Sequence, residues 1–235
     1  MANVSTTTMS SKGRAAIPDG NKMSGYTEPE WSKSALITID TQCDTLDGQP
    51  FEIPGTSAII PRMKGLLQAY RDAEKNIIHI VRIYKADGSN VDLCRREMIE
   101  RGAALVLAGS PGCQIVPELL SPHSGFELDA DLLLSGGIQR LSPNEVVIYK
   151  SRWGAFYNTP LEHYLRGIDI STLVFSGCNF PNCPRTSIYE ASERDFKIIL
   201  IEDAVSGLYS RGKEEMLNIG VQVMKTEKLI KKLNA

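Results

Sequence analysis

Three residues of types that can do covalent chemistry fall where apolar, strand-like runs give out. Asp40 ends the run Ala35-Leu36-Ile37-Thr38-Ile39, and Lys150 ends Val146-Val147-Ile148-Tyr149. Cys183 follows Thr172-Leu173-Val174-Phe175 and Gly177 across a six-residue turn. Arg82 lies near the end of a further apolar run, Ile77 to Ile83. In open parallel α/β sheets, ligands bind beyond the carboxyl ends of the strands, so an acid, a base and a thiol would converge on one edge. A charged residue at a strand end can also be there simply to reach water. A thiol nucleophile needs a partner that takes its proton and returns it to the leaving group. Histidine is the usual choice, but His79 lies within an apolar strand, His123 in a Pro/Ser/Gly loop and His163 on a helix away from the edge. Asp40 is the base that remains. A nearby Lys150 ammonium would help hold the thiolate and shape the proton affinity of the carboxylate.

The turn Gly177-Cys178-Asn179-Phe180-Pro181-Asn182-Cys183-Pro184 reads as a helix start. Asn182 suits the N-cap, and Pro184 is tolerated in the first helical turn. Cys183 would then sit at the positive end of the helix dipole, among backbone N–H groups ready for a developing oxyanion. The other cysteines, Cys43, Cys94, Cys113 and Cys178, read as small, ordinary side chains.

The elements that must position these groups follow from periodicity. Ile59, Ile60, Met63, Leu66, Leu67, Tyr70 and Ala73 recur at helical spacing. A charged helix is expected around 91–101, and helices over 159–166, 183–195, 210–219 and 226–233. Strands are expected at 35–39, 77–83, 146–149, 172–175, 197–201 and 221–224. Such alternation predicts a three-layer α/β/α sandwich around a mainly parallel, Rossmann-like sheet. Residues 1–32, rich in Ser, Thr, Asn, Gly and Lys, read as a flexible arm preceding one domain at 33–235. The less regular stretch 84–145 reads as one wall of a site. With the arm, it is the candidate contact in a homodimer or homotetramer.

Composition narrows the function. With 26 basic and 28 acidic side chains and a net charge of −2, bulk positive charge cannot drive nucleic-acid binding. No run of about 18 apolar residues is present to span a membrane. The polar first 20 residues lack the apolar stretch of a secretory signal. Five cysteines without regular spacing argue against a disulfide scaffold and for a reducing cytoplasm. The expected partner is a small molecule, with no nucleic acid and no membrane.

Four segments carry a family resemblance over about residues 34 to 225. They are Ala35 to Gln42 with its D-x-Q; Gly109-Ser110-Pro111-Gly112 through Ile115 and Glu118-Leu119; Lys150 to Thr159; and Gly177 to Cys183. In these the chain resembles the isochorismatase-like cysteine hydrolase superfamily, which includes nicotinamidases and carbamoylsarcosine, biuret, ureidoacrylate and streptothricin-lactam hydrolases. The resemblance implies that Cys183 is the nucleophile, Asp40 the general base and acid, and Lys150 the third member. It further implies an oxyanion hole from the Asn179 and Cys183 N–H groups and a cis peptide at Asn179–Phe180. Phe180 and Pro181 depart from the family's usual small residue and threonine. The loop after the first strand has no His, unlike the metal site of nicotinamidases, so neither metal nor cofactor is expected.

The implied activity is hydrolysis of a C–N bond in a small amide, ureide or lactam. The alternatives are a vinyl-ether hydrolase and a non-catalytic interaction module on the same fold. Trp153, Phe156 and Tyr157 are candidates for an aromatic pocket or for core. Arg82 would bind a substrate carboxylate or carbonyl, or else pair with an acidic neighbour. Gln42, Asp44 and Asn182 are polar groups near the reactive edge, with Asp44 suited to a cationic or N–H-rich substrate.

Overall fold

The structure, a computed structural model, describes residues 25–122 and 125–234. Most of the expected N-terminal arm, residues 1–24, lies outside the described residues, as does His123. Glu30, a described residue of that arm, is tied to the first residues of two sheet strands, Thr172 and Lys197. The Glu30 amide donates to Thr172 Oγ1 (2.9 Å), and the Glu30 carboxylate pairs with Lys197.

The elements run β1 (Ser34–Ile39), α1 (Thr56–Asp72), β2 (Asn76–Val81), α2 (Leu93–Glu100), α3 (Ala130–Leu134), β3 (Ile138–Ser142) and β4 (Glu145–Tyr149). They continue with α4 (Leu161–Gly167), β5 (Thr172–Gly177), α5 (Cys183–Ser192), β6 (Lys197–Val205), α6 (Ser210–Asn218), β7 (Gln222–Met224) and α7 (Thr226–Leu233). The strands form one sheet in the order β3-β4-β2-β1-β5-β6-β7, parallel except where β3 meets β4.

Strand β1 is buried along its whole length because successive side chains feed two cores. Leu36 joins Met63, Leu66, Leu67 and Tyr70 of α1, together with Leu229 of α7. Ala35, Ile37 and Ile39 join Leu165 of α4, Ile188 and Ala191 of α5, and Met216 of α6. The expected three layers are therefore present, with α1, α2, α3 and α7 on one face and α4, α5 and α6 on the other.

Two features of this sheet position the site. The strand order turns back between β1 and β5, the switch point where α/β sheets open a crevice. The register also aligns Ile148, Ile80, Ile39 and Gly177 in one row across β4, β2, β1 and β5. Whatever follows these four residues emerges on one edge at one level.

Periodicity did not anticipate β3. It lies at the sheet's rim, its residues IQRLS are only half-buried, and their apolar signal is correspondingly weak. Strand β6 is also longer than expected, running to Val205. Its pairing with β5 breaks between Phe175 and Gly177, and its extension frames the turn before α5. Ser206 N–H donates to Gly177 O (3.1 Å), while Ser206 O accepts the Phe180 N–H (2.8 Å).

Candidate active site

The four strand exits carry the residues expected there. Asp40 follows β1, Arg82 follows β2, Lys150 follows β4 and Cys183 opens α5 after β5. Lys150 Nζ lies 2.7 Å from Asp40 Oδ2, and the Lys150 side chain is fully buried. The other oxygen, Asp40 Oδ1, is buried without a hydrogen-bond partner. Asp40 itself has a left-handed backbone (φ 48°), which aspartate tolerates better than most residues. Asp40 O accepts the Cys178 thiol at 3.0 Å, and Asp40 N donates to Ile80 O at 2.9 Å.

Cys183 is buried, and burial together with the Asp40 carboxylate pushes its thiol above the usual value; Lys150 and Arg82 pull the other way. Arg82 Nη2 lies 3.8 Å from Cys183 Sγ. Cys178 is buried further, and its thiol is pushed up to about 12. Among the described residues, neither the Asn179 nor the Cys183 amide donates to a protein acceptor. Both residues line a cavity of about 310 Å³ with Asp40, Arg82 and Trp153. That is within the size range of small-molecule sites.

The turn between β5 and α5 differs from expectation in two ways. The cis peptide is Cys178–Asn179, one residue before the bond named by the resemblance. The Cys178 amide donates to Ile39 O (2.9 Å) and the Phe180 amide to Ser206 O (2.8 Å), so the chain is pinned on both sides of Asn179. Asn182 holds the N-cap position without a capping side-chain bond. Its side-chain amide instead donates to Asn179 Oδ1 (3.2 Å), and Asn182, expected near the substrate, does not line the cavity. Pro184 sits in the first turn as expected.

Several expected substrate contacts are committed elsewhere. Gln42 lines the cavity, but its amide knits backbones together. Its Oε1 accepts Arg82 N–H (2.8 Å), and its Nε2 donates to Arg82 O (2.8 Å) and Cys113 O (2.5 Å). The Asp44 carboxylate accepts the Val106 N–H (2.7 Å) and packs on Gly112, where an added Cβ would lie 1.9 Å from its oxygen. It does not line the cavity. Phe156 enters the core beside Phe196 (5.8 Å between ring centroids), and Tyr157 is 49% exposed on the surface. The reason is local: Ser187 Oγ and the Glu190 carboxylate on α5 receive the Ala155 and Phe156 amides, fixing the direction of the segment. Of the three aromatics, only Trp153 lines the cavity.

Arg82 forms the acidic pair that was the alternative to substrate binding. Its Nη1 lies 2.6 Å from Asp92 Oδ2. Asp92 also accepts Tyr84 OH (2.6 Å) and lies 3.3 Å from Arg95 Nη1. Burial favours its protonated form, but these neighbours hold its carboxyl below the ordinary range. Arg95 stacks over Trp153, 4.6 Å from the ring centroid. Tyr84, Asp92 and Arg95 were not singled out in the sequence. The available signals were the two-residue step from Arg82 to Tyr84 and the helical spacing of Asp92 and Arg95. Phe51, Ile53, Met98, Leu105 and Val106 complete an apolar wall.

Among the described residues, no group of three or more His, Cys, Asp or Glu side chains could hold a metal ion. No helix among them is long and apolar enough to cross a membrane.

The chain is isochorismatase-like in fold, and residues 134–228 match the family model described as Isochorismatase domain. It is similar to an isochorismatase family protein of known structure from Desulfovibrio vulgaris, with a TM-score of 0.72 and 29% identity. That match covers 86% of this chain and 99% of the other. It is also similar to a protein named probable inactive nicotinamidase from Arabidopsis thaliana, 25% identical over 82% of this chain and 92% of the relative. A ureidoacrylate amidohydrolase from Cronobacter sakazakii is 27% identical over 73% of this chain and 74% of its own length.

Proposed function

We propose that the protein is a cysteine-dependent amidohydrolase that cleaves a C–N bond of a small amide, ureide or lactam. The observation that carries this reading is one carboxylate with two different oxygens: Asp40 Oδ2 is held by Lys150 at 2.7 Å, while Oδ1 is left unpartnered in the cavity wall that Cys183 shares. The upward shift of the thiol fits a nucleophile that rests protonated until a base removes its proton. Asp40 takes that proton as Sγ attacks the carbonyl carbon. The free Asn179 and Cys183 amides are suited to receive the developing oxyanion. Asp40 then returns the proton to the leaving nitrogen, and a thioester remains on Cys183. A water deprotonated by Asp40 attacks the thioester, releasing the acid and restoring the thiol. The apolar wall favours a substrate with a compact apolar portion beside its amide. The reading includes a cytoplasmic enzyme that assembles as a homodimer or homotetramer.

The name of the Arabidopsis relative favours a second reading, a non-catalytic module on the same fold. A vinyl-ether hydrolase would not need the thiol. Panels of small amides, ureides and lactams, assayed for released amine or ammonia, separate these readings. Wild-type turnover that disappears in both Cys183→Ala and Asp40→Asn supports the amidohydrolase. Turnover that survives Cys183→Ala sinks the thioester mechanism.

A further inference from the structure

A guanidinium within reach of a nucleophile's sulfur serves either the substrate or the sulfur, and its remaining donors decide between them. Both terminal nitrogens of Arg82 are held by the protein. Nη1 meets Asp92 Oδ2 at 2.6 Å, Ser151 O at 3.3 Å and Tyr84 OH at 3.5 Å, and Nη2 meets Arg152 O at 2.7 Å. Its backbone N–H and C=O are both held by the Gln42 amide. The side chain is 5% exposed, so both the fork and its stem are fixed before any ligand arrives.

The hydrogen bond left to Nη2 goes to Cys183 Sγ, at 3.8 Å. Among the described residues this is the cation whose hydrogen bond reaches the sulfur. Lys150 spends its contacts on Asp40 Oδ2 (2.7 Å) and Arg152 O (3.2 Å). The titratable and charged groups around the thiol are Asp40 from the end of β1, Lys150 from the end of β4, Cys178 from the turn before α5, and Arg82 from the end of β2. Asp92, Tyr84 and Arg95 lie behind Arg82.

We propose that Arg82 is a fourth catalytic residue, a pre-positioned guanidinium that holds the Cys183 thiolate, and is not a substrate anchor. The proposal rests on the reading of Cys183 as nucleophile. When the S–H bond breaks, the proton goes to the Asp40 carboxylate, and the freed sulfur electron pair accepts the Arg82 N–H. When the thioester forms, that pair becomes the S–C bond and the interaction with Arg82 weakens. Asp92 would then be a positioning residue, acting through Arg82. A buried anion next to a fixed cation is favoured by far more than an exposed one, because little water competes.

The test needs no substrate. In a Cys94→Ser background, which removes the exposed thiol, iodoacetamide labelling of Cys183 is followed by peptide mapping in short pulses between about pH 7 and pH 12. In the otherwise unchanged protein, Cys183 should label faster than Cys43, Cys113 and Cys178. If it does not, the nucleophile reading fails and this proposal fails with it. If it does, Arg82→Gln should raise the midpoint of the labelling profile by about one pH unit or more, and slow labelling at neutral pH about tenfold. A midpoint unmoved by Arg82→Gln overturns the role of Arg82 and leaves the nucleophile standing. Should the glutamine variant fail to fold by circular dichroism, Arg82→Lys is measured in its place. Its single ammonium cannot serve Asp92 and the sulfur as the fork does, so a raised midpoint supports the proposal and an unmoved one overturns it.

Discussion

Asp40 and Lys150 leave strands that are not neighbours, yet their side chains meet at 2.7 Å across the end of β2. Two strand spacings are about 9.6 Å, a gap that the long lysine stem closes while staying fully buried. The ammonium therefore arrives from beneath the sheet edge and not from solvent. One Asp40 oxygen is fixed by it and the other, Oδ1, is buried without a hydrogen-bond partner. The pair thus sets both the orientation of the carboxylate and which of its oxygens is available.

Lys150→Met removes the charge while keeping most of the buried stem. It leaves the Asp40 carboxylate unpaired at low exposure, a situation that typically costs about 3–5 kcal/mol. The expected outcome of urea unfolding at neutral pH is a stability loss in that range, with slower labelling of Cys183 below the new transition. A loss under about 1 kcal/mol would mean that the carboxylate has another partner.

Gly177 ends β5 with φ 112°, and a Cβ there would stand 2.2 Å from Ile39 O. The obstacle is the backbone of the adjacent strand, so it cannot swing aside. This close approach brings the turn carrying Cys178 to Cys183 against the exit of β1. Gly177→Ala should cost upwards of about 3 kcal/mol, through clash and left-handed strain together. Thermal unfolding gives the loss directly, and a melting temperature near wild type would contradict so close an approach of β5 to β1.

What could be read from the sequence, and what could not, divides along chain distance. Strand exits were legible because an apolar run ending in Asp40 or Lys150 is a local signal, and so was the helix start at Cys183 and Pro184. Whether a polar group is free was not. Asp44 is spent on Val106, 62 residues away, and Gln42 on Cys113, 71 residues away. Nothing near Asp44 or Gln42 announces those partners. Arg82 was poised between substrate and ion pair, and only the folded position of Asp92 decides it. The cis bond was misplaced by one residue because its position was carried from a family pattern and not from local chemistry.

Phe156 gives the same lesson an experimental form. It was a candidate for the pocket but lies in the core against Phe196, with Arg194 over its ring at 5.1 Å. Phe156→Ala should cost about 3–5 kcal/mol, the range for deleting a buried aromatic. Below its melting transition, Cys183 should still label as in wild type. Trp153→Ala should do the reverse, with a small stability change and a changed labelling rate, because Trp153 lines the cavity beside Arg82 (5.5 Å to the ring centroid). Equal labelling in the two variants would contradict this division.

Glu145, at the start of β4, is 3% exposed and sits against His79 Nε2 (2.8 Å) and Arg71 Nη2 (2.6 Å). Burial alone would favour the protonated acid, but hydrogen bonds and charge from Arg71 and His79 overcome it and bring the carboxyl down to about 2 from an ordinary 4.5. A carboxyl that is more acidic folded than unfolded stabilises fully above its unfolded value. That stabilisation fades as pH falls from about 4.5 towards 2, where the folded group also protonates. Its size is on the order of 3 kcal/mol. Wild-type stability, from urea unfolding at several pH values, should therefore fall steeply across this window. Glu145→Gln should be less stable at neutral pH and show a shallower fall through the same window. Parallel curves for the two proteins would mean that Glu145 titrates alike folded and unfolded, and that the Arg71–Glu145–His79 cluster does not hold the edge of the sheet together.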